Sequence, residues 1–256
     1  MVSFLIGLQF LTRINLVRQD EWTQQGFGAS VKFFPAVGAV VGAICAAVVF
    51  LLQLTGLPLL TGAVAFALPI ILTGGIHCDG LADSADGLLS GREREKILVI
   101  MKDSRTGSFG VTALLLTALL EGAALVELAR LSAEILCAAV YASPIIARLM
   151  MVVTIGAFPY ARPDGMGKAF AMFTTRRTIF FAAAETFLLL VPLMFGGKIF
   201  LCAAFATATA LLMTWRLAKF STEKIGGVTG DIYGAVTMLA ELVATVTFLL
   251  TANAMR

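Results

Sequence analysis

The sequence predicts an all-α, polytopic membrane helix bundle of about seven transmembrane helices. Three observations predict it. Hydrophobic residues make up 59% of the 256-residue chain and charged residues only 14%, whereas a soluble domain carries about 25% charge. The apolar residues fall into runs close to the roughly 20 residues a helix needs to cross a bilayer. Lys and Arg gather at alternate ends of those runs, the bias that sets membrane orientation. No linker, low-complexity tract or internal repeat interrupts the pattern, so one domain is expected over residues 1–256.

Residues 2–12 are apolar but too short to span, and Arg13, Arg18, Asp20 and Glu21 follow them. An interfacial or re-entrant helix is expected there; the stretch lacks the basic leader and cleavage site of a secretory signal. A first span is expected at about 33–54, with Pro35 in the first turn, where its missing donor is unpaired anyway. Gly38 and Gly42 form a small-xxx-small pair suited to close helix contact. A turn at 55–58 leads to a second span at about 58–74, and a charged insert follows. Further spans are expected at about 108–129, 133–157, 178–196, 198–216 and 231–252. Pro144 is expected to bend or locally break its helix.

If the insert faces the cytoplasm, segments 13–32, 92–105, 162–177 and 216–224 fall on the same side and hold 15 of the 19 basic residues. Arg130, Lys198 and Arg256 fall opposite, and Arg148 lies inside a span. The net charge of +3 and the lack of basic–aromatic interleaving exclude a nucleic-acid surface. Cys45, Cys78, Cys137 and Cys202 form no CxxC pair and read as packing residues.

The chemistry concentrates between Thr73 and Gly110, which enclose the only histidine. At about 100° per residue, Asp79, Asp83 and Asp86 lie at roughly 0°, 40° and −20° on one helical stripe. Like charges at this spacing repel, so a cation is expected against them, and Mg²⁺ in phosphate chemistry is the commonest case. The competing reading, a solvated acidic face, suits a chain this poor in charge less well. Lys102, Asp103 and Arg105 precede Gly107 and Gly110 at the start of a span. Cations there would offset phosphate charge, and backbone amides at the helix N-terminus would approach its oxygens. An ordinary juxtamembrane basic cluster is the alternative. Arg92, Arg94 and Lys96 alternate with glutamates and read as a solvated helix. His77 is either a hydrogen-bonded structural group or a base or substrate contact.

Arg148 offers a phosphate or carboxylate contact, or a structural ion pair. Glu121, Glu185 and Glu241 read as packing partners for hydroxyls or for Arg148. Residues 160–168 form a Gly/Pro-rich loop of mixed charge, and 226–234 a glycine-rich turn in which Asp231 could ligate a metal or accept from a ribose.

Five stretches carry a family resemblance: FLTRI at 10–14, FFPAVG at 33–38, GGIHCDGLADSADG at 74–87, IMKDSRTGSFG at 100–110 and GGVTGD at 226–231. Through them the chain resembles the cobalamin synthase family, the adenosylcobinamide-GDP ribazoletransferases, along essentially its whole length. It departs from the usual pattern at Asn15, where proline is typical, and at Cys78 and Thr106, where larger aliphatics are typical. The resemblance implies a Mg²⁺-dependent transferase of a prokaryotic inner membrane with its active site on the cytoplasmic face. The 3′-hydroxyl of α-ribazole, or of its 5′-phosphate, would attack adenosylcobinamide-GDP and expel GMP. For that reaction the residues read as follows: Asp79, Asp83 and Asp86 as metal ligands, Asp103 as a further ligand or the base on the attacking hydroxyl, and His77 as a catalytic residue. Lys102, Ser104, Arg105, Gly107, Arg148, Thr229 and Asp231 would bind substrate. A homo-oligomer or association with other corrinoid-pathway enzymes stays open.

Two other classes compete. CDP-alcohol phosphotransferases and intramembrane prenyltransferases also hold diphosphates on aspartate stripes through Mg²⁺. A corrinoid or metal transporter would instead place acids at the bilayer midplane and show repeat symmetry.

Overall fold

The computed structural model describes residues 2–18, 23–194 and 197–255. Asp20, Glu21, residues 195–196 at the end of the expected fifth span, and Arg256 lie outside the described residues.

Every regular element among the described residues is helical, apart from one isolated β-bridge. Helix α1 (Val2–Leu11) is followed by α2 (Gln24–Ser30), which passes through a 3₁₀ turn (Val31–Phe33) into α3 (Phe34–Gln53). Next come α4 (Pro58–Thr73), α5 (Ile76–Leu88), α6 (Arg94–Ile100), α7 (Ser108–Leu131) and α8 (Ala133–Ala157). The chain ends with α9 (Met166–Phe173), α10 (Arg176–Met194), α11 (Lys198–Ile225) and α12 (Gly230–Ala254).

Among the described residues, the continuous Gln24–Gln53 segment, α7, α8, α11 and α12 are long and apolar enough to cross a membrane. The α4–α5 pair, bent by 92°, makes a sixth if counted as one broken span. Among the described residues two of the seven expected spans are not counted as single helices. Helix α4 has only 16 residues, and α10 opens on Arg176–Arg177 and carries Glu185 within its 19. Helix α11 runs on to Ile225 rather than stopping near 216, which lifts Arg216, Lys219 and Lys224 beyond its apolar run.

The bend between α4 and α5 comes from Gly74 and Gly75, both in the left-handed region at φ 66° and 75°. Side-chain-bearing residues avoid that region. The α7–α8 reversal needs one residue: Ser132 ends α7 and its hydroxyl accepts from the Ile135 amide at 3.3 Å.

Helix α8 is the hub, buried along most of its length against α3, α10, α11 and α12. The Gly38/Gly42 pair explains its contact with α3. A Cβ on Gly38 would lie 2.5 Å from the Pro144 carbonyl oxygen, and one on Gly42 would strike the Tyr141 carbonyl. Close backbone approach is what such pairs supply where lipid offers no hydrophobic drive.

Several polar groups inside the bundle pair with one another. Arg148 on α8 pairs with Glu241 on α12, both buried. Ser143 and Thr245 hydroxyls lie 3.2 Å apart, and Thr245 donates to Glu121 at 3.5 Å. Glu185 accepts from the Ala36 amide at 3.2 Å, in the first turn of α3. Glu121 and Glu241 thus have the hydroxyl and the Arg148 partner expected for them, whereas Glu185 takes a backbone amide instead.

Helix α1 does not span. It packs at the end of the bundle where α3 begins and α4 ends: the Arg13 amide donates to the Leu72 carbonyl at 2.7 Å. Phe10 of α1 meets Phe27 of α2 at 5.5 Å and Phe170 of α9 at 5.0 Å, and Phe170 meets Phe34 of α3 at 5.7 Å. This aromatic cluster, at edge-to-face geometry, braces the same end at which α5, α6, α9 and the α11–α12 turn meet.

Candidate active site at the basic end of the bundle

Helices α5 and α12 cross with a glycine on each side. A Cβ on Gly80 would lie 2.7 Å from the Asp231 carbonyl oxygen and 2.9 Å from Gly234 Cα. This approach sets Asp79 and Asp83 of α5 against Asp231 in the first turn of α12. The Asp83 carboxylate feels the charges of Asp79, Asp231 and Asp86, and the opposing charge of Arg162. Gly80→Ala is therefore expected to lower stability by about 1–3 kcal/mol through overpacking, while Gly122→Ala, whose Cβ would meet nothing within 4 Å, has no such effect. Thermal unfolding of the two purified variants compares them.

Asp231 is held from two directions. Arg162 Nη2 lies 2.9 Å from its Oδ2, and the Thr229 hydroxyl donates to the same oxygen at 3.1 Å. Thr229 also N-caps α12, accepting from the Ile232 amide at 3.4 Å. Arg162 reaches this point because two loops pair in parallel. The Ala161 amide donates to the Val228 carbonyl and the Val228 amide to the Pro159 carbonyl, each at 2.8 Å. Gly227 permits the pairing, since any Cβ there would strike the Pro159 carbonyl.

Arg94 of α6 fastens the same loops: Nε donates to the Ile225 carbonyl at 2.8 Å and Nη2 to the Ala161 carbonyl at 3.3 Å. Arg94 stays exposed, as its reading on a solvated face has it, but its guanidinium also ties the two loops together, which alternating charge on a short helix does not signal.

Asp86 separates from the stripe. Its Oδ2 accepts from the Gly107 amide at 2.6 Å and its Oδ1 from the Gly110 amide at 2.9 Å. These are the amides expected to approach a phosphate. A carboxylate from α5 takes that place instead, for the reason that favours any anion at a helix N-terminus. Asp86 thus joins α5 to α7, and among the described residues no three His, Cys, Asp or Glu side chains make a ready metal cluster.

The segment 102–106 forms a loop beside the site. Arg105 grips Asp103 with both ends of its guanidinium, Nε to Oδ1 at 3.0 Å and Nη2 to Oδ2 at 2.7 Å. These bonds, with one from the Arg105 amide, hold the Asp103 carboxyl down at about 2. Lys102, Ser104 and Arg105 are exposed.

Two cavities open beside the acids. One, of about 310 Å³, is lined by His77, Asp79, Tyr160, Arg162, Asp231 and Tyr233, among others. The second, of about 560 Å³ and more open, is bordered by Arg13, Gly74, Gly75, Asp79 and Thr106. They share Phe10, Ile76 and Asp79. His77 is buried and its Nε2 has no hydrogen-bond partner.

The structure thus brings together His77, Asp79, Asp83, Thr229 and Asp231. It places Lys102, Asp103, Ser104 and Arg105 on the neighbouring loop, joins Asp86 to Gly107, and sends Arg148 into the core as the ion pair with Glu241. Sequence reasoning passed over Arg162, Tyr160 and Tyr233. The only signal was their position in the two glycine-bearing loops on the basic side.

Fold and site together define a class: a multi-pass membrane protein with a cluster of charged and polar groups at one rim of a largely apolar bundle. The chain belongs, more particularly, to the cobalamin-5-phosphate synthase family, whose sequence profile matches residues 3–249. It is 40% identical over 243 residues to an adenosylcobinamide-GDP ribazoletransferase of Desulfitobacterium hafniense, covering 93% of this chain and 92% of that one. Proteins of the same name in Fusobacterium nucleatum and Ralstonia nicotianae are each 35% identical, covering 97% and 94% of this chain and 97% and 92% of theirs. No solved structure matches. These matches favour neither the CDP-alcohol phosphotransferase or prenyltransferase reading nor the transporter.

Proposed function

We propose that this chain is a Mg²⁺-dependent adenosylcobinamide-GDP ribazoletransferase. It moves the adenosylcobinamide-phosphate group onto the 3′-hydroxyl of α-ribazole, or of α-ribazole 5′-phosphate, and releases GMP. The observation that carries this reading is the convergence of Asp79, Asp231 and Arg162 on the enclosed cavity, with Asp79 shared by the open cavity and Asp83 one turn along α5, in a chain whose near-full-length relatives bear that name.

The reaction makes one P–O bond and breaks another. The acceptor oxygen attacks the cobinamide-side phosphorus, and the bridging oxygen leaves with its electron pair on GMP. Such a displacement needs positioning and charge neutralisation more than covalent help. Arg13, at the border of the open cavity, and Lys102 and Arg105, on the loop next to it, supply positive charge for the diphosphate. Arg162 steadies Asp231 and with it the first turn of α12. His77 Nε2, unpartnered in the enclosed cavity, takes the proton of the attacking hydroxyl.

The acids fit a magnesium ion. Mg²⁺ prefers oxygen donors and is commonly held by one or two carboxylates together with substrate phosphates, so a preformed three-acid cage is unnecessary. Asp79 and Asp83 would hold it, and when bound it would offset charge on the diphosphate. The basic rim would face the cytoplasm of a prokaryotic cell, across its inner membrane, where nucleotides are found.

Asp103 suits a loop-ordering role. A carboxyl held at about 2 is a weak base at neutral pH. Its depressed value means that the carboxyl stays charged and paired with Arg105 through and below the usual carboxylate range, and the pairing is lost only as pH falls through about 2. Asp103→Asn is expected to slow turnover less than about tenfold and to leave both limbs of the pH–rate profile unmoved; a lost limb would make Asp103 the base. The reading as a whole is tested by GMP release from the purified chain in liposomes. Release that requires both adenosylcobinamide-GDP and α-ribazole or its 5′-phosphate is expected. Turnover of CDP-diacylglycerol or a prenyl diphosphate in their place would overturn it.

A further inference from the structure

The two cavities differ in chemistry. The open one is bordered by backbone glycines, hydroxyls and Arg13. The enclosed one has a wall of aromatic and thioether side chains, Phe10, Met151, Tyr160, Phe170 and Tyr233, beside the charged group of Asp79, Arg162 and Asp231. Its 310 Å³ falls at the lower end of the roughly 300–1,000 Å³ that small-molecule sites occupy.

Two side chains lining the enclosed cavity are buried yet incomplete. His77 is 4% exposed and Tyr233 3%, and neither His77 Nε2 nor the Tyr233 hydroxyl has a hydrogen-bond partner. Buried polar atoms are seldom left unpaired in native proteins, and each costs free energy until something supplies the missing bond. Both sit in a lining whose aromatic side suits a flat apolar group and whose charged side carries Asp79, Arg162 and Asp231. The Tyr160 and Tyr233 rings stand 6.4 Å apart at 37°. Tyr160 packs closely on Gly167 at the start of α9, where a Cβ would lie 2.8 Å from its ring.

We infer that the enclosed cavity is the acceptor subsite, binding a nucleoside with a flat, weakly polar base, and that the open cavity takes the phosphate-bearing donor. This inference builds on the transferase reading and divides its site in two. A benzimidazole nucleoside matches the wall. Its base offers a large apolar face and, beyond the glycosidic nitrogen, one ring nitrogen that accepts a hydrogen bond. The Tyr233 hydroxyl donates to that nitrogen. His77 Nε2 accepts from the sugar hydroxyl that attacks. Asp79, shared by both cavities, marks where acceptor oxygen and donor phosphorus meet.

Steady-state GMP release by the purified full chain separates the alternatives. Tyr233→Phe removes one oxygen and keeps the ring. It is expected to raise KM for α-ribazole about tenfold and leave KM for adenosylcobinamide-GDP within about twofold, the cost of one unmade buried hydrogen bond. Met151→Trp fills the cavity and is expected to raise the same KM further. A rise in donor KM instead, or no change in either KM in both variants, would overturn the subsite assignment. The underlying reading fails in a different way: wild-type protein would release no GMP with either form of ribazole.

Discussion

Asp83→Asn is expected to reduce kcat/KM for GMP release by at least about 100-fold, the lower end of what a single group acting on the reacting atoms contributes, while the protein remains as stable as wild type or becomes more so. The two effects have opposite signs for one physical reason. Burial first, and then the charges of Asp79, Asp231 and Asp86, disfavour a charged Asp83, an arrangement that costs folding free energy. Replacing the carboxylate by an amide of the same shape relieves that repulsion and removes the oxygen charge that would attract a cation. Turnover at saturating and limiting Mg²⁺, measured beside thermal unfolding, reads both effects. A variant equally active at limiting Mg²⁺ would remove Asp83 from the chemistry. One that loses stability in step with activity would make its role structural.

Arg148→Met is expected to act the other way, on stability and not on substrate affinity. Its guanidinium is 1% exposed and paired with Glu241. Removing one member of a buried pair leaves the other charge uncompensated, a cost of about 3–5 kcal/mol. The double change Arg148→Met with Glu241→Leu is expected to recover most of that loss, because an apolar replacement of both partners is often neutral. Denaturation of the three variants in one detergent measures the difference. If Arg148→Met instead kept its stability and raised KM for the donor, the phosphate-contact reading of Arg148 would be restored.

Periodicity and charge made the spans legible: the starts of α3, α4, α7, α8, α11 and α12 fall within a residue of where the apolar runs place them. The Gly38/Gly42 pair also predicted a close contact, though not that its partner would be the Pro144 turn of α8. These features depend on neighbours in the chain or on solvent, and one sequence records both. The site was legible only in part. The stripe at Asp79, Asp83 and Asp86 is one helical face, but the three acids have different partners. Gly80 lets α12 approach closely enough for Asp231 to join the first two, while Asp86, one turn on, meets the amides of Gly107 and Gly110. Which neighbour each acid meets depends on the crossing of α5 and α12 and on the bend at Gly74–Gly75. A glycine pair signals that turn without giving its direction. Arg162 was less legible still, since its place depends on the pairing of Tyr160 with Val228, 68 residues apart. Arg94 shows the same limit, its charge pattern being that of a surface helix.

The claim that Asp79 and Asp231 serve one site is tested most directly by a double-mutant cycle on GMP release. The variants are Asp79→Asn, Asp231→Asn and the two combined, each assayed as purified full chain. Residues sharing a site couple by about 0.5–3 kcal/mol, so the double variant is expected to be several-fold to about 100-fold more active than the product of the two single losses predicts. Losses that simply multiply would place the two acids in independent roles and contradict the account.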